Sequence, residues 1–181
     1  MFNTRKLTLC AILSALSVIL AVLIHFPLFP AAAFLEYDPA DIPIFISSFA
    51  LGPVLGIVTT VITSVVQGTT VSAASGISGI IMHIISTGSF VLVSGLYYKK
   101  RKTKTAALVS LVLGTITMTI VMVLLNLVIT PLFLGAPLEA VISMLVPVII
   151  PFNFAKAAIN SLITYIVYPH ISPYIKKFNA H

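Results

Sequence analysis

Charge is what this chain has least of. Lysine and arginine number ten, aspartate and glutamate four, and together they make up 8% of 181 residues, where a soluble domain carries about 25%. A water-soluble surface cannot be assembled from so little. Tryptophan is absent and there is one cysteine, Cys10, which excludes an intrachain disulfide and a cysteine-pair metal site; lying in an apolar run, Cys10 reads as a small core residue. Missing too are a Gly-rich phosphate loop of the Walker type and a His-Glu-x-x-His pair. His25, His83, His170 and His181 are too dispersed to form a helical ligand pair, and His170 and His181 read as solvent-exposed. Neither ATP hydrolysis nor a familiar metal site is therefore written in this chain.

What is present is apolar surface, with 59% of the residues hydrophobic and a mean hydropathy of +1.17. Several runs reach the roughly 20 residues needed to cross a hydrocarbon core of about 30 Å. The chain reads as a single-domain, all-α integral membrane protein. Its net charge of +6 does not point to nucleic acid, because the cations flank apolar segments and leave no basic face to carry them.

The cations fall in three clusters: Arg5 and Lys6; Lys99, Lys100, Arg101, Lys102 and Lys104; Lys176 and Lys177. The acids Glu36, Asp38, Asp41 and Glu139 lie in other connections. Short cytoplasmic loops collect Lys and Arg, so the three clusters share one side and an even number of crossings separates each pair. That parity divides residues 42–66 into two helices at Gly52-Pro53, since Pro53 disfavours helical geometry at Gly52 and lacks an N–H. Six transmembrane helices are expected, over about 7–26, 39–51, 53–68, 77–98, 105–133 and 151–176, with both termini cytoplasmic.

The second helix is short. Asp38 is expected as its N-cap, Pro39 at its first position and Asp41 at the positive end of its dipole. The fifth is longer than a bilayer requires and is expected to tilt, protrude or break near Pro131. Arg5-Lys6 before an apolar run, with Ala31-Ala32-Ala33 further on, imitates a signal peptide, but the run exceeds a signal core of 7–15 residues.

Lys156, the one cation away from the basic clusters, sits in Pro151-Phe152-Asn153-Phe154-Ala155-Lys156. An ionisable group in an apolar helix costs about 2.5–3.5 kcal/mol at the membrane centre and marks a functional-site candidate, with snorkelling as the plainer alternative. In the six-helix topology Lys156, Asn153, Asn126, Gln67 and Asp41 share the outer half of the protein, where they could converge on a polar ligand. Alternatively, the two asparagines bond neighbouring helices and Lys156 pairs with Asp41 or Glu36. His83, among isoleucines in the fourth helix, needs a partner, either structural or ligand. Phe34, Leu35, Tyr37, Phe45, Phe133, Phe152 and Phe154 near the same level would suit a flat heteroaromatic ligand, although aromatics also gather at membrane interfaces. In the first helix Ala11 and Ala15 place small residues one turn apart, a face for close helix approach inside the bundle or with a partner.

Taken in order, these segments resemble the S components of energy-coupling factor (ECF) vitamin transporters, most closely their riboflavin-specific branch. The segments are Ala11/Ala15, Phe34-Leu35-Glu36-Tyr37-Asp38-Pro39-Ala40-Asp41-Ile42-Pro43, Gly52-Pro53-x-x-Gly56, Gly76-Ile77-Ser78-Gly79-Ile80-Ile81-Met82-His83, Asn126 before Pro131-Leu132-Phe133, and Pro151-Phe152-Asn153-x-x-Lys156. The resemblance implies a six-helix substrate-binding subunit of the bacterial cell membrane, without a cofactor of its own, that takes a vitamin from outside into a pocket roofed by loops. It implies a transmembrane coupling subunit docking on the Ala11/Ala15 face, and two cytoplasmic ATPases that supply the energy. Asn126, Asn153 and Lys156 carry over as ligand contacts, with Leu35 and Asp41 beside them; the amides would meet the isoalloxazine ring of riboflavin and Lys156 a carbonyl or ribityl oxygen. The same scaffold serves pantothenate, folate and thiamine. A membrane enzyme using His83 or Lys156 as base is the reading from another class, with no orienting triad visible in the sequence.

Overall fold

The computed structural model describes residues 3–29, 32 and 34–180, with side chains up to Phe178. Ala31 and Ala33 of the alanine run and His181 lie outside the described residues. The fold is a helical bundle: α1 (Thr4–Leu23), α2 (Asp41–Leu51), α3 (Pro53–Thr69), α4 (Gly76–Arg101), α5 (Lys104–Leu134), α6 (Leu138–Met144) and α7 (Ile150–Ala180). Among the described residues, four helical stretches are long and apolar enough to cross a membrane: Thr4–Leu23, Ala73–Arg101, Lys104–Leu134 and Leu138–Phe178. The chain is an integral membrane protein.

The break at Gly52-Pro53 is present. Gly52 takes φ +100°, a conformation open to glycine, and Pro53 starts α3 where its missing N–H costs nothing. Both flanking helices are short, 11 and 17 residues. α2 packs against α1, α3, α4 and α7 and is buried continuously from Asp41 to Phe49, as expected of a helix apolar all round. A β-carbon on Gly56 would come within 2.9 Å of Ser48 Cβ and 2.7 Å of Val91 Cγ1, so Gly56 permits the close approach of α2, α3 and α4. Gly56→Ala should lower stability by about 1–3 kcal/mol, read as a drop in thermal unfolding temperature.

Two expectations need correction and a third is narrowed. Asp38 does not cap α2 directly: the helix begins at Asp41, and Asp38 Oδ1 instead accepts the Ala40 N–H at 3.0 Å, a local turn that leads the chain in. Of the alternatives open to the long fifth helix, the break near Pro131 does not occur: α5 runs on to Leu134 and ends at Gly135, φ +61°. The final helix is longer than expected, because α6 joins α7 through a π-helical turn, Leu145–Ile149.

A short antiparallel ribbon, β1 (Phe26–Pro27) with β2 (Glu36–Tyr37), folds the α1–α2 connection back on itself. Its loop and the α6–α7 junction build a second small core, with Leu35, Val141, Ile149 and Phe152 buried together. This satellite core roofs one end of the bundle. The clustered cations gather at the opposite end, where Lys102 and Lys104 share a cavity with Lys176 and Arg5 lies beside Lys177.

Candidate functional site

Under the roof lies an open-mouthed cavity of about 140 Å³, between the α1–α2 loop, α4, α5 and the start of α7. Its walls are largely apolar. Met82, Met118 and Met122 face Phe34, Leu35 and Phe152, and Ser75, Ser78, Ser86, Asn126, Thr130, Asn153 and Lys156 supply the polar contacts. Methionine thioethers adapt to irregular or planar shapes.

Both asparagines are buried and held by their own helices. Asn126 donates to the Met122 carbonyl (2.7 Å) and accepts from Thr130 Oγ1 (2.8 Å); Asn153 donates to the Ile149 carbonyl (2.8 Å). Ile149 closes the π-helical turn, so the irregularity that shifts the helix register also anchors Asn153; such turns are frequent at functional sites. An amide has two donor hydrogens and two lone pairs. Each asparagine therefore keeps hydrogen-bonding capacity for a ligand.

Lys156 is 12% exposed, and its ammonium sits 2.7 Å from Asp38 Oδ2 and 3.3 Å from the Glu36 carbonyl oxygen. The pairing expected with Asp41 or the Glu36 carboxylate is thus replaced by Asp38. Gln67 Nε2 donates to the same Asp38 oxygen at 3.1 Å, and the Glu36 carboxylate lies 2.8 Å from His25 Nε2. The pair links the loop roof to α7 while Lys156 still lines the cavity.

Asp41, fully buried, is a hub. His83 Nε2 (3.1 Å), Thr87 Oγ1 (3.0 Å) and Asn160 Nδ2 (3.4 Å) converge on its two oxygens. Asn160 also donates to the Asp38 carbonyl (3.2 Å) and accepts from the Tyr37 hydroxyl (3.1 Å). Burial, partly countered by the Lys156 ammonium, holds the Tyr37 phenol above its usual range, which keeps it a donor. Asp41 therefore ties α2 to α4 and α7 without lining the cavity.

His83 does line it, with Nδ1 2.8 Å from Ser64 Oγ. Ser64, His83 and Asp41 thus stand in line, an arrangement invisible in their sequence spacing. The Ser64 hydroxyl, however, donates to the Thr60 carbonyl at 2.7 Å, so its proton is committed to α3. The row is a clamp between helices rather than an activated nucleophile.

Of the residues expected at the site, Leu35, His83, Asn126, Asn153 and Lys156 line one cavity. Gln67 lines an adjoining, more polar one of about 110 Å³. Of the aromatics, Phe34, Phe133 and Phe152 reach the cavity, Phe45 stacks on Phe90 in the core at 3.7 Å, and Phe154 is exposed on the outer surface. Asn160 and the ion-pairing role of Asp38 are not among the sequence expectations. The signal for Asn160 is present all the same, since Asn153, Lys156, Asn160 and Thr164 repeat every three or four residues along one helix face.

A roofed, mostly apolar cavity with a few convergent polar groups, in a bundle of membrane-length helices, belongs to proteins that hold a small molecule at the membrane. The family model for the substrate-specific component of ECF transporters matches residues 5–168, and the chain belongs to that family. It is 30% identical over 183 residues to the riboflavin transporter FmnP of Bacillus subtilis (strain 168), spanning 97% of this chain and 96% of that one. The riboflavin transporter RibU of Streptococcus thermophilus is also 30% identical, over 98% of this chain and 87% of its own. A solved S component of a bacterial ECF transporter superposes with a TM-score of 0.81 at 25% identity, covering 96% of this chain and 98% of that one. The chain is a transport component and not an enzyme.

Proposed function

We infer that this chain is the riboflavin-binding S component of an ECF transporter in a bacterial cell membrane. It takes the vitamin from outside and delivers it inward with partner subunits that spend ATP. The observation that carries this reading is the cavity itself, a methionine- and phenylalanine-walled slot with Asn126, Asn153 and Lys156 at one level. Such a slot suits a flat heteroaromatic ring with alternating donors and acceptors along its edge, and relatives of nearly full length are riboflavin transporters. Six crossings with both termini cytoplasmic put the cavity outside and the basic end inside, as the distribution of Lys and Arg favours. Titrating the purified protein with riboflavin while following quenching of flavin fluorescence tests the reading. Saturable quenching, undisturbed by excess pantothenate, thiamine or folate, is expected; binding of one of those vitamins in place of riboflavin would overturn it.

The partners are a transmembrane coupling subunit and two cytoplasmic ATPases. Ala11 and Ala15 are exposed on α1, whereas Cys10, Leu13, Ser14, Ser17 and Ala21 pack inward. The small-residue face is therefore not used inside the bundle, which supports its use by the coupling subunit. Replacing both alanines by valine should leave flavin binding unchanged and reduce uptake in cells by at least roughly tenfold, the effect of losing about 1.4 kcal/mol of docking energy. Normal uptake by the double variant would exclude this face from docking.

A further inference from the structure

The basic end of the bundle holds a second feature that the vitamin site does not use. A cavity of about 200 Å³ opens between the α4–α5 turn and the last turns of α7, with Lys102, Lys104 and Lys176 around it and Phe49, Tyr98 and Tyr168 behind it. Those three rings pack on one another, Phe49 on Tyr98 at 4.3 Å and edge-on to Tyr168 at 5.4 Å, so the back wall is a packed aromatic cluster. No carboxylate lines this cavity. Lys102 holds the left-handed conformation, φ 51°, alone among the described non-glycine residues. Glycine occupies such a helix-terminating position at lower cost, so a cation stands there against backbone preference.

Tyr165 lines this cavity and also a second one, an apolar groove of about 380 Å³ that continues along the seam of α5 and α7. Leu108, Val112, Ile116, Phe154 and Leu162 wall the groove, and two of its hydroxyls, on Thr115 and Ser161, bond each other at 3.0 Å. From Lys104 to Ile116 the helix rises about 18 Å, slightly more than half a hydrocarbon core of about 30 Å. A cationic mouth thus continues into an apolar slot about as long as one acyl chain.

We propose that this seam is a binding site for an anionic phospholipid, with the headgroup phosphate among Lys102, Lys104 and Lys176 and one acyl chain along the α5/α7 groove. Basic pockets between membrane helices on the cytoplasmic side have the chemistry for such headgroups. A free phosphate would use the lysines alone and leave the groove without a role.

Native mass spectrometry of the purified full chain, with phosphatidylglycerol and phosphatidylcholine of equal chain length in detergent micelles, tests the site. Phosphatidylglycerol should be retained roughly tenfold better, and the preference should fall as ammonium acetate is raised, a readout that needs no variant. K102S/K104S/K176S should bring the ratio close to one. Ala158→Trp, which fills the groove, should reduce retention of phosphatidylglycerol with the lysines intact. Equal retention of the two lipids by the wild type would overturn the proposal. So would full displacement by inorganic phosphate together with indifference to Ala158→Trp, which would assign the lysines to a free anion.

Discussion

Lys156→Ala is expected to lower stability by about 3–5 kcal/mol, because it leaves Asp38, 2% exposed, as a buried carboxylate without its cation. Gln67 Nε2 and the Ala40 N–H would remain on Asp38, but neutral donors do not replace an ammonium at 2.7 Å. Asp38→Asn should fail in the converse way, stranding the Lys156 ammonium on the Glu36 carbonyl. The double variant Asp38→Asn/Lys156→Ala removes both charges and should lose clearly less than the sum of the two single losses. Thermal or denaturant unfolding of the four proteins measures the coupling; additive losses would show that the pair does not hold the roof. The single Lys156 variant should also bind riboflavin more weakly by about 1.5–3 kcal/mol, the range for a hydrogen bond to a charged group. Wild-type affinity in a folded Lys156→Ala protein would remove Lys156 from the site.

The second large effect separates binding from folding. Asn126 and Asn153 spend protein hydrogen bonds within their own helices, on Met122, Thr130 and Ile149, so leucine at either position should change stability little compared with Lys156→Ala. What leucine removes is the amide edge facing the cavity, leaving ligand polar atoms without partners at about 1–3 kcal/mol each, or roughly 5- to 150-fold in Kd. Asn126→Leu/Asn153→Leu should therefore weaken riboflavin binding beyond about 100-fold while keeping an unfolding temperature close to that of the wild type. Flavin fluorescence titration and thermal unfolding on the same sample read both. Retained affinity in the double variant would mean that the ring edge meets other groups.

Much of this fold is legible in the sequence because charge and proline placement are global signals. Segregated lysines favour even crossings between clusters, and that parity, supported by Pro53 after Gly52, divides residues 42–66 into two helices. The three-residue spacing of Asn153 and Lys156 likewise puts both side chains near one helix face. What is not legible depends on contacts between distant segments or on backbone irregularity. Asp38 and Lys156 are separated by 118 residues; in sequence Asp38 sits before a proline, so local capping is its simplest use. Asn160 reads as one more polar residue in a long helix until Tyr37 and Asp41 are brought to it. The π-helical turn at Leu145–Ile149 has no strong sequence signature, and without it α6 looks like a loop.

These residues bear on one claim, that the roofed cavity holds riboflavin. The visible absorption spectrum of the protein, purified without added ligand from cells grown with the vitamin, tests it most directly. Flavin bands near one equivalent per chain, lost in Asn126→Leu/Asn153→Leu, are expected. A colourless wild-type protein that also fails to acquire those bands on incubation with riboflavin would contradict it.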